Sequence, residues 1–171
     1  MQFSFLQHFL KCLLMKEITL QVNGKQHAIQ LEDTATPLLY VLRNQLQLNG
    51  PKYGCGLEQC GSCMVLMDGK AMPSCRIPAS AVSNKNIVTL EGLLQEDGSL
   101  HPVQQAFVDE QAAQCGYCLN GMVITAVALL EDNDQPDDTA IREGMERCLC
   151  RCGVQPRVIK AIRTAAQNMT P

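Results

Sequence analysis

The chain has 171 residues, of which 46% are hydrophobic and 18% charged, and its formal net charge is -3. This is enough apolar material to build the core of one ordinary domain or of two small ones. The acidic balance and the lack of any Lys/Arg run exclude a nucleic-acid footprint, and no apolar stretch approaches the roughly 20 residues that span a bilayer.

Residues 1–14, MQFSFLQHFLKCLL, are apolar but lack the features of a signal peptide. No cationic segment precedes them, Gln7, His8 and Lys11 interrupt the apolar run, and no small-residue cleavage site follows. We expect a disordered tail or an upstream start here, with a partner-docking helix as the alternative.

Residues 15–92 are predicted to form two hairpins, a short helix and a last strand. Asn23-Gly24 and Asp68-Gly69 are favoured hairpin turns between alternating apolar segments. Thr36-Pro37 predicts a helix cap followed by proline at the first helical position. The predicted strand segments are 18–22, 29–31, 64–67, 70–75 and 87–90.

Residues 93–171 are predicted to form four helices, because turn residues give way to helical spacing near residues 92–99. The predicted helix starts are His101-Pro102, Asn120 as a cap, Thr139 as a cap, and Pro156. The last periodic residues of these helices are Glu110, Leu130, Met145 and Ala166. Four helices of this length predict a small bundle.

Ten cysteines, about 6% of the chain, fall into tight groups. Disulfide frameworks usually spread cysteines to link distant segments, whereas metal sites pair them at short spacing so that one loop presents two ligands. We therefore interpret the grouped cysteines as metal thiolates.

Cys55, Cys60 and Cys63 have the spacing C-x4-C-x2-C, and Cys75 follows in the second hairpin. This is the plant-type arrangement for a 2Fe-2S cluster. A loop around an inorganic cluster needs positive φ and close backbone approach, which glycine permits. The expected glycines are Gly54, Gly56 and Gly61. Zinc is the alternative metal for four thiolates.

A second four-thiolate site is predicted from Cys115 and Cys118, spaced C-x2-C, and from Cys150 and Cys152, spaced C-x-C. Both pairs fall between predicted helices, so the two loops can meet across the bundle. Spacing leaves iron–sulfur and zinc open for this site. Cys148 competes for a ligand place, but we expect it on the preceding helix as a packed thiol.

The segments GCGLEQCGSC, CGYC and LCRCG, in this order, resemble the small subunit of the molybdenum hydroxylases, the family of xanthine dehydrogenase and aldehyde oxidoreductase. The resemblance covers about residues 16–167. It implies an α+β chain: a β-grasp, plant-type ferredoxin-like domain at 15–92, then a four-helix domain at 93–171, each with one 2Fe-2S cluster. It also supports Cys115, Cys118, Cys150 and Cys152 as ligands. A separate large subunit would hold molybdopterin, in its cytosine dinucleotide form.

LNGPKYGCGLEQCGSC and HPVQQAFVDEQAAQCGYCLNGM resemble two-component members acting on N-heteroaromatics, such as nicotinate dehydrogenase and isoquinoline oxidoreductase. This implies a substrate such as nicotinate and cytochrome c as electron acceptor. Leu119-Asn120 stands where many flavin-dependent members have Thr-Pro, and Cys148 where Asn is common. The resemblance also implies that Gln114 and the residue matching Cys152 contact the pterin.

Several alternatives stay open from the sequence. A small subunit of an aldehyde or xanthine dehydrogenase with a flavin subunit, an independent iron–sulfur carrier, and a zinc-stapled interaction module share parts of the pattern. We expect His8, His27 and His101 to be solvated or structural, so this chain would carry no catalytic residue. We expect a cytoplasmic location, with membrane association only through a cytochrome partner.

Overall fold

A computed structural model of the protein describes residues 15–169. The prediction for the tail at residues 1–14, which includes Cys12, lies outside them. Among the described residues, no helix combines the length and the apolar character needed to cross a membrane.

A five-stranded mixed sheet forms the first half of the described chain. The strands are β1 Lys16–Val22, β2 Lys25–Leu31, β3 Met64–Met67, β4 Lys70–Pro73 and β5 Asn86–Val88. Their order is β2-β1-β5-β3-β4. Both predicted hairpins are present as antiparallel pairs, and β5 pairs parallel to β1 at the centre of the sheet.

Two strands differ at their ends from the prediction. β4 stops at Pro73, before Cys75. Ser74 still donates its N–H to Cys63, the residue opposite it, but its carbonyl turns to α1 and accepts the N–H of Leu39. β5 stops at Val88, and the chain then turns through a 3-10 helix at Leu90–Leu93. A second 3-10 turn spans Ala79–Val82.

The predicted helix after Thr36-Pro37 is helix α1, with an α-helical turn over Leu38–Tyr40 and a π-helical turn over Val41–Gln45. The predicted cap was wrong by one residue. Pro37 holds the N-cap position, since the Thr36 hydroxyl donates to the carbonyl of Asp33 instead.

The four predicted helices of the second half are all present. They are α2 Pro102–Asp109, α3 Leu119–Asp132, α4 Asp138–Gly144 and α5 Gln155–Met169. Two predicted caps were wrong. Asn120 lies inside α3, with Cys118 at the N-cap. Asp137 caps α4 in place of Thr139, because its carboxylate accepts the Ala140 N–H at 2.8 Å.

Strand β3 joins the two halves of the molecule through its two faces. Successive side chains of a strand point to opposite faces. Val65 and Met67 pack into the core of the sheet and α1, whereas Met64 and Leu66 pack into the core formed by the helices. All four are buried. The predicted α+β fold class is confirmed.

His101 caps helix α2 in a form that depends on pH. Its Nδ1 accepts the Val103 N–H at 3.2 Å, and the backbone N–H of His101 donates to the side-chain oxygen of Gln104 at 3.0 Å. A protonated ring could not accept this bond. Burial lowers the pKa of His101. The neutral ring therefore contributes stability above the unfolded pKa of about 6.5, and this is lost as pH falls towards the folded-state pKa.

When the pH falls from about 7.5 to about 5.5, we expect the free energy of unfolding to decrease less in His101→Asn than in the wild-type protein. Asparagine keeps a side-chain acceptor suited to an N-cap but does not titrate. Urea unfolding of both proteins at the two pH values measures the difference. An equal loss in both would contradict the assignment of His101 as the source.

Candidate metal centres

The first thiol site consists of Cys55, Cys60, Cys63 and Cys75. Cys55 and Cys60 lie in the loop between α1 and β3, Cys63 is the last residue before β3, and Cys75 follows β4. Cys55 Sγ accepts the N–H groups of Leu57 and Gln59 at 3.3 Å each. Cys60 Sγ accepts the N–H of Cys55 at 3.3 Å. The loop backbone therefore already turns its N–H groups towards the sulfurs.

The glycines of this loop serve two different needs. Gly56 and Gly61 have positive φ, at 67° and 77°, as expected. Gly54 does not have the positive φ that was expected of it. The expected close approach is confirmed, because a Cβ there would lie 2.6 Å from Cys60 Sγ.

The pKa values of two thiols in the first site are shifted in opposite directions. Partial burial raises the pKa of Cys55, but the N–H groups of Gln59 and Leu57 outweigh it and lower the pKa to about 7. Burial, together with the neighbouring Cys75 thiol, raises the pKa of Cys63 to about 11. Binding of a metal at this site would therefore release the proton of Cys63.

The second thiol site consists of Cys115, Cys118, Cys150 and Cys152. The first two follow α2 and the last two follow α4, and the packing of the helices brings the loops together. Cys115 Sγ lies 3.5 Å from Cys152 Sγ, and Cys118 lies beside Cys150. The predicted meeting of the two loops is therefore present.

The second site also contains thiols whose pKa values are shifted in opposite directions. Burial and the neighbouring Cys150 raise the pKa of Cys118 to about 12. For Cys150, burial also raises the pKa, but the N–H of Val154, the Cys118 side chain and the N–H groups of Cys152 and Gly153 outweigh it, so its pKa lies below the ordinary value. Gly153 makes this turn with φ at 78°.

Each site consists of two pairs of neighbouring thiols. The pairs are Cys55 with Cys60, Cys63 with Cys75, Cys115 with Cys152, and Cys118 with Cys150.

Contacts that the sequence did not indicate join the two sites. The Leu149 N–H donates to the carbonyl of Cys60 at 3.1 Å, and Arg147 donates to the carbonyl of Glu58 at 2.9 Å. The Tyr117 hydroxyl donates to the carbonyl of Tyr53. These bonds use main-chain carbonyls, so side-chain spacing carries no signal for them. Of the three donors, Leu149 directly precedes the C-x-C pair, Arg147 lies three residues before it, and Tyr117 lies inside the C-x2-C loop.

Cys148 is a buried thiol in the helical core, as expected. The expectation that it lies on the preceding helix was wrong, because α4 ends at Gly144. Its Sγ lies 3.4 Å from the Thr125 hydroxyl. We expect Cys148→Ser to keep the full iron content, since serine can make the same contact, and colorimetric iron analysis of the purified protein checks this. Loss of about half the iron would identify Cys148 as a ligand.

The residues expected at the pterin lie on the outside of the chain. Gln114 and Cys115 are exposed, and Cys152 is half-buried. The second site is therefore open to a partner. Of the histidines, His27 lies on β2 and His101 caps α2, so neither belongs to a thiol site, and His8 lies outside the described residues.

Comparison with known protein families identifies the two halves. Residues 20–89 match the 2Fe-2S iron-sulfur cluster binding domain family. Residues 89–163 match the 2Fe-2S binding domain family. The zinc alternative left open by the spacing is thus decided in favour of two 2Fe-2S clusters.

Individual relatives cover nearly the whole chain. One of the subunits of nicotinate dehydrogenase from Pseudomonas putida is 53% identical over 88% of this chain and 95% of its own length. The alpha chain of isoquinoline 1-oxidoreductase from Brevundimonas diminuta is 42% identical over 86% of this chain and 95% of its own length. A chain of quinoline 2-oxidoreductase from Pseudomonas putida 86 superposes with a TM-score of 0.84 at 35% identity, over 90% of this chain and 95% of that one.

Proposed function

Since this chain belongs to the iron–sulfur small subunits of the molybdenum hydroxylases, we propose that it carries electrons from a molybdenum centre in a large partner subunit to an external acceptor. Each 2Fe-2S cluster, when bound, accepts and releases one electron. The observation that supports this most directly is the Leu149 N–H bond to the Cys60 carbonyl, which joins the two thiol sites.

We assign one cluster to Cys55, Cys60, Cys63 and Cys75, and the other to Cys115, Cys118, Cys150 and Cys152. Paired sulfurs and backbone N–H groups turned towards them support both ligand sets. Such N–H contacts stabilise thiolate charge and influence the reduction potential of a cluster. This chain's own part is therefore to hold eight sulfurs in place and to present N–H groups to them.

The backbone between the sites provides a short connection. Leu149 directly precedes Cys150 in the chain, and its N–H is bonded to the carbonyl of Cys60 at 3.1 Å. One hydrogen bond and the backbone of two residues thus link a ligand of one site to a ligand of the other. The positive φ of Gly61, 77°, keeps this loop against residues 147 and 148, where a Cβ would meet the Arg147 carbonyl at 2.9 Å.

The proposed substrate is an N-heteroaromatic such as nicotinate, and the proposed acceptor is a cytochrome c. The similarity to the nicotinate dehydrogenase chain supports the first. Leu119-Asn120, in place of the Thr-Pro of many flavin-dependent members, supports an acceptor other than a flavin subunit. The competing assignment is an aldehyde or xanthine substrate with a flavin subunit. The reducing conditions that keep thiols free favour a cytoplasmic location.

We propose that Gln114 and Cys152 contact the pterin, in its cytosine dinucleotide form, held by the partner. The exposure of Gln114 beside the second site supports this. We expect Gln114→Ala to keep both clusters but to slow their reduction by substrate, because a hydrogen-bonding amide at the interface is lost. Stopped-flow absorbance at the cluster bands measures the rate. A wild-type rate in the variant would remove Gln114 from the interface.

Purification of the chain with its large partner tests the function as a whole. We expect about four irons per small chain, a molybdenum in the large one, and cluster bleaching on addition of nicotinate. Native mass spectrometry of the same sample identifies partner and cofactors together. A colourless, iron-free complex would overturn the proposal, whereas bleaching by an aldehyde or xanthine alone would change only the substrate.

A further inference from the structure

Asn120 places a buried carboxamide between the two thiol sites. It lies two residues after Cys118, inside α3, and is 1% exposed. Its Nδ2 donates to the carbonyl of Ser62 at 3.0 Å and to that of Met64 at 2.9 Å. These two carbonyls flank Cys63, so one side chain next to the second site holds both neighbours of a thiol in the first.

Other contacts also hold the backbone of residues 62–64 in place. The carbonyl of Cys63 accepts the N–H and the hydroxyl of Ser74, at 3.2 and 2.7 Å. Three successive carbonyls are thus bonded. The helix also meets the loop closely, since a Cβ on Gly121 would lie 2.1 Å from the Gly61 carbonyl.

Burial of the Asn120 amide has a free-energy cost. Asn120 Oδ1 is buried and has no hydrogen-bond partner among the described residues. A buried acceptor without a partner is unfavourable, and an apolar side chain of similar size would avoid that penalty. In this chain, the two N–H bonds to the carbonyls of Ser62 and Met64 are what the buried amide contributes.

We propose that Asn120 is a positioning residue for electron transfer, which fixes the Cys63 segment relative to the Cys118 segment and so sets the geometry between the two clusters. The inference rests on the proposed function for the presence of the clusters. The hydrogen bonds from Asn120 to the carbonyls of Ser62 and Met64 lie entirely within this chain.

Asn120→Leu removes both donors at similar volume, and Asn133→Ala is the matched control, since Asn133 ends the same helix at an exposed position. Each variant is purified with its large partner. We expect Asn120→Leu to weaken the magnetic interaction between the reduced clusters in low-temperature EPR and to shift the potential of the first cluster. We also expect faster amide hydrogen exchange at Met64 and Ser74. The control should match wild type in all three.

The possible results can be told apart. Loss of iron from the first cluster in Asn120→Leu alone would equally show that the amide holds the Cys63 segment. Wild-type EPR, potential and exchange in Asn120→Leu would overturn the inference while leaving the proposed function intact. An iron-free wild-type complex would instead overturn the proposed function, and the exchange rates at Met64 and Ser74 would still decide whether the amide holds the loop.

Discussion

Replacing Cys150 with alanine is expected to lower the iron content of the chain by about half, because a 2Fe-2S cluster needs all four of its thiolates. Backbone N–H groups help to lower the pKa of Cys150, so in the variant they would lose the charge that they stabilise. Reduction of the remaining cluster by substrate is expected to stop, since the proposed pterin contacts, Gln114 and Cys152, lie at the second site. Iron analysis and visible absorption under substrate measure both effects.

Cys148→Ser is the control for this variant, because it alters a thiol two residues away that packs in the helical core. Full iron in the control together with half iron in Cys150→Ala would support the ligand assignment. Full iron in both would contradict it and would require another residue to complete the second site.

Gly121→Ala is expected to destabilise the fold and to disturb both sites. Alanine is about 1 kcal/mol better than glycine inside a helix, so the change would stabilise α3 if space allowed it. The new Cβ would instead lie 2.1 Å from the Gly61 carbonyl, which is backbone next to Cys60 and cannot rotate away. Overpacking of this kind costs about 1–3 kcal/mol or more, which corresponds to roughly 2–4 °C in Tm for each kcal/mol lost in a chain of this size.

Gly144→Ala provides the comparison. The atoms nearest to a Cβ there would be those of the Leu129 side chain, with its methyl groups at 3.1 and 3.2 Å, and a leucine side chain can shift. Calorimetry of both variants should show a clear loss of Tm for Gly121→Ala and little change for Gly144→Ala. Equal Tm values would mean that the helix and the loop can separate without cost, and the contact would then not position the clusters.

Strand β3 and the cysteine loop that precedes it connect the two halves of the molecule. β3 contributes Val65 to one core and Leu66 to the other, and the cysteine loop that leads into β3 is gripped by α3. A variant at either contact would therefore affect both sites. Asn120 is expected to have the most direct effect on both sites, because it lies next to the second site and bonds to the backbone on either side of Cys63.

The features that depend on neighbouring residues were predictable. Asn23-Gly24 and Asp68-Gly69 favour hairpin turns through their own backbone preferences, and both hairpins formed. Helical spacing after residue 100 predicted four helices, and the thiol spacings predicted two groups of four cysteines. Caps were less predictable. Asp137 and Thr139 both suit a cap, and the choice depended on which carboxylate or hydroxyl reached a free N–H.

Local sequence was sufficient for the two hairpins, the four helices and the grouping of the thiols, because turn preference, periodicity and ligand spacing are properties of neighbouring residues. Packing was needed to reveal that Asn120 bonds to carbonyls 58 and 56 positions away instead of capping its helix. It also revealed that Leu149 donates to Cys60 and that Gly121 lies against Gly61. Contacts to main-chain atoms distant in the chain arise only when helices and sheet pack, so no local pattern records them.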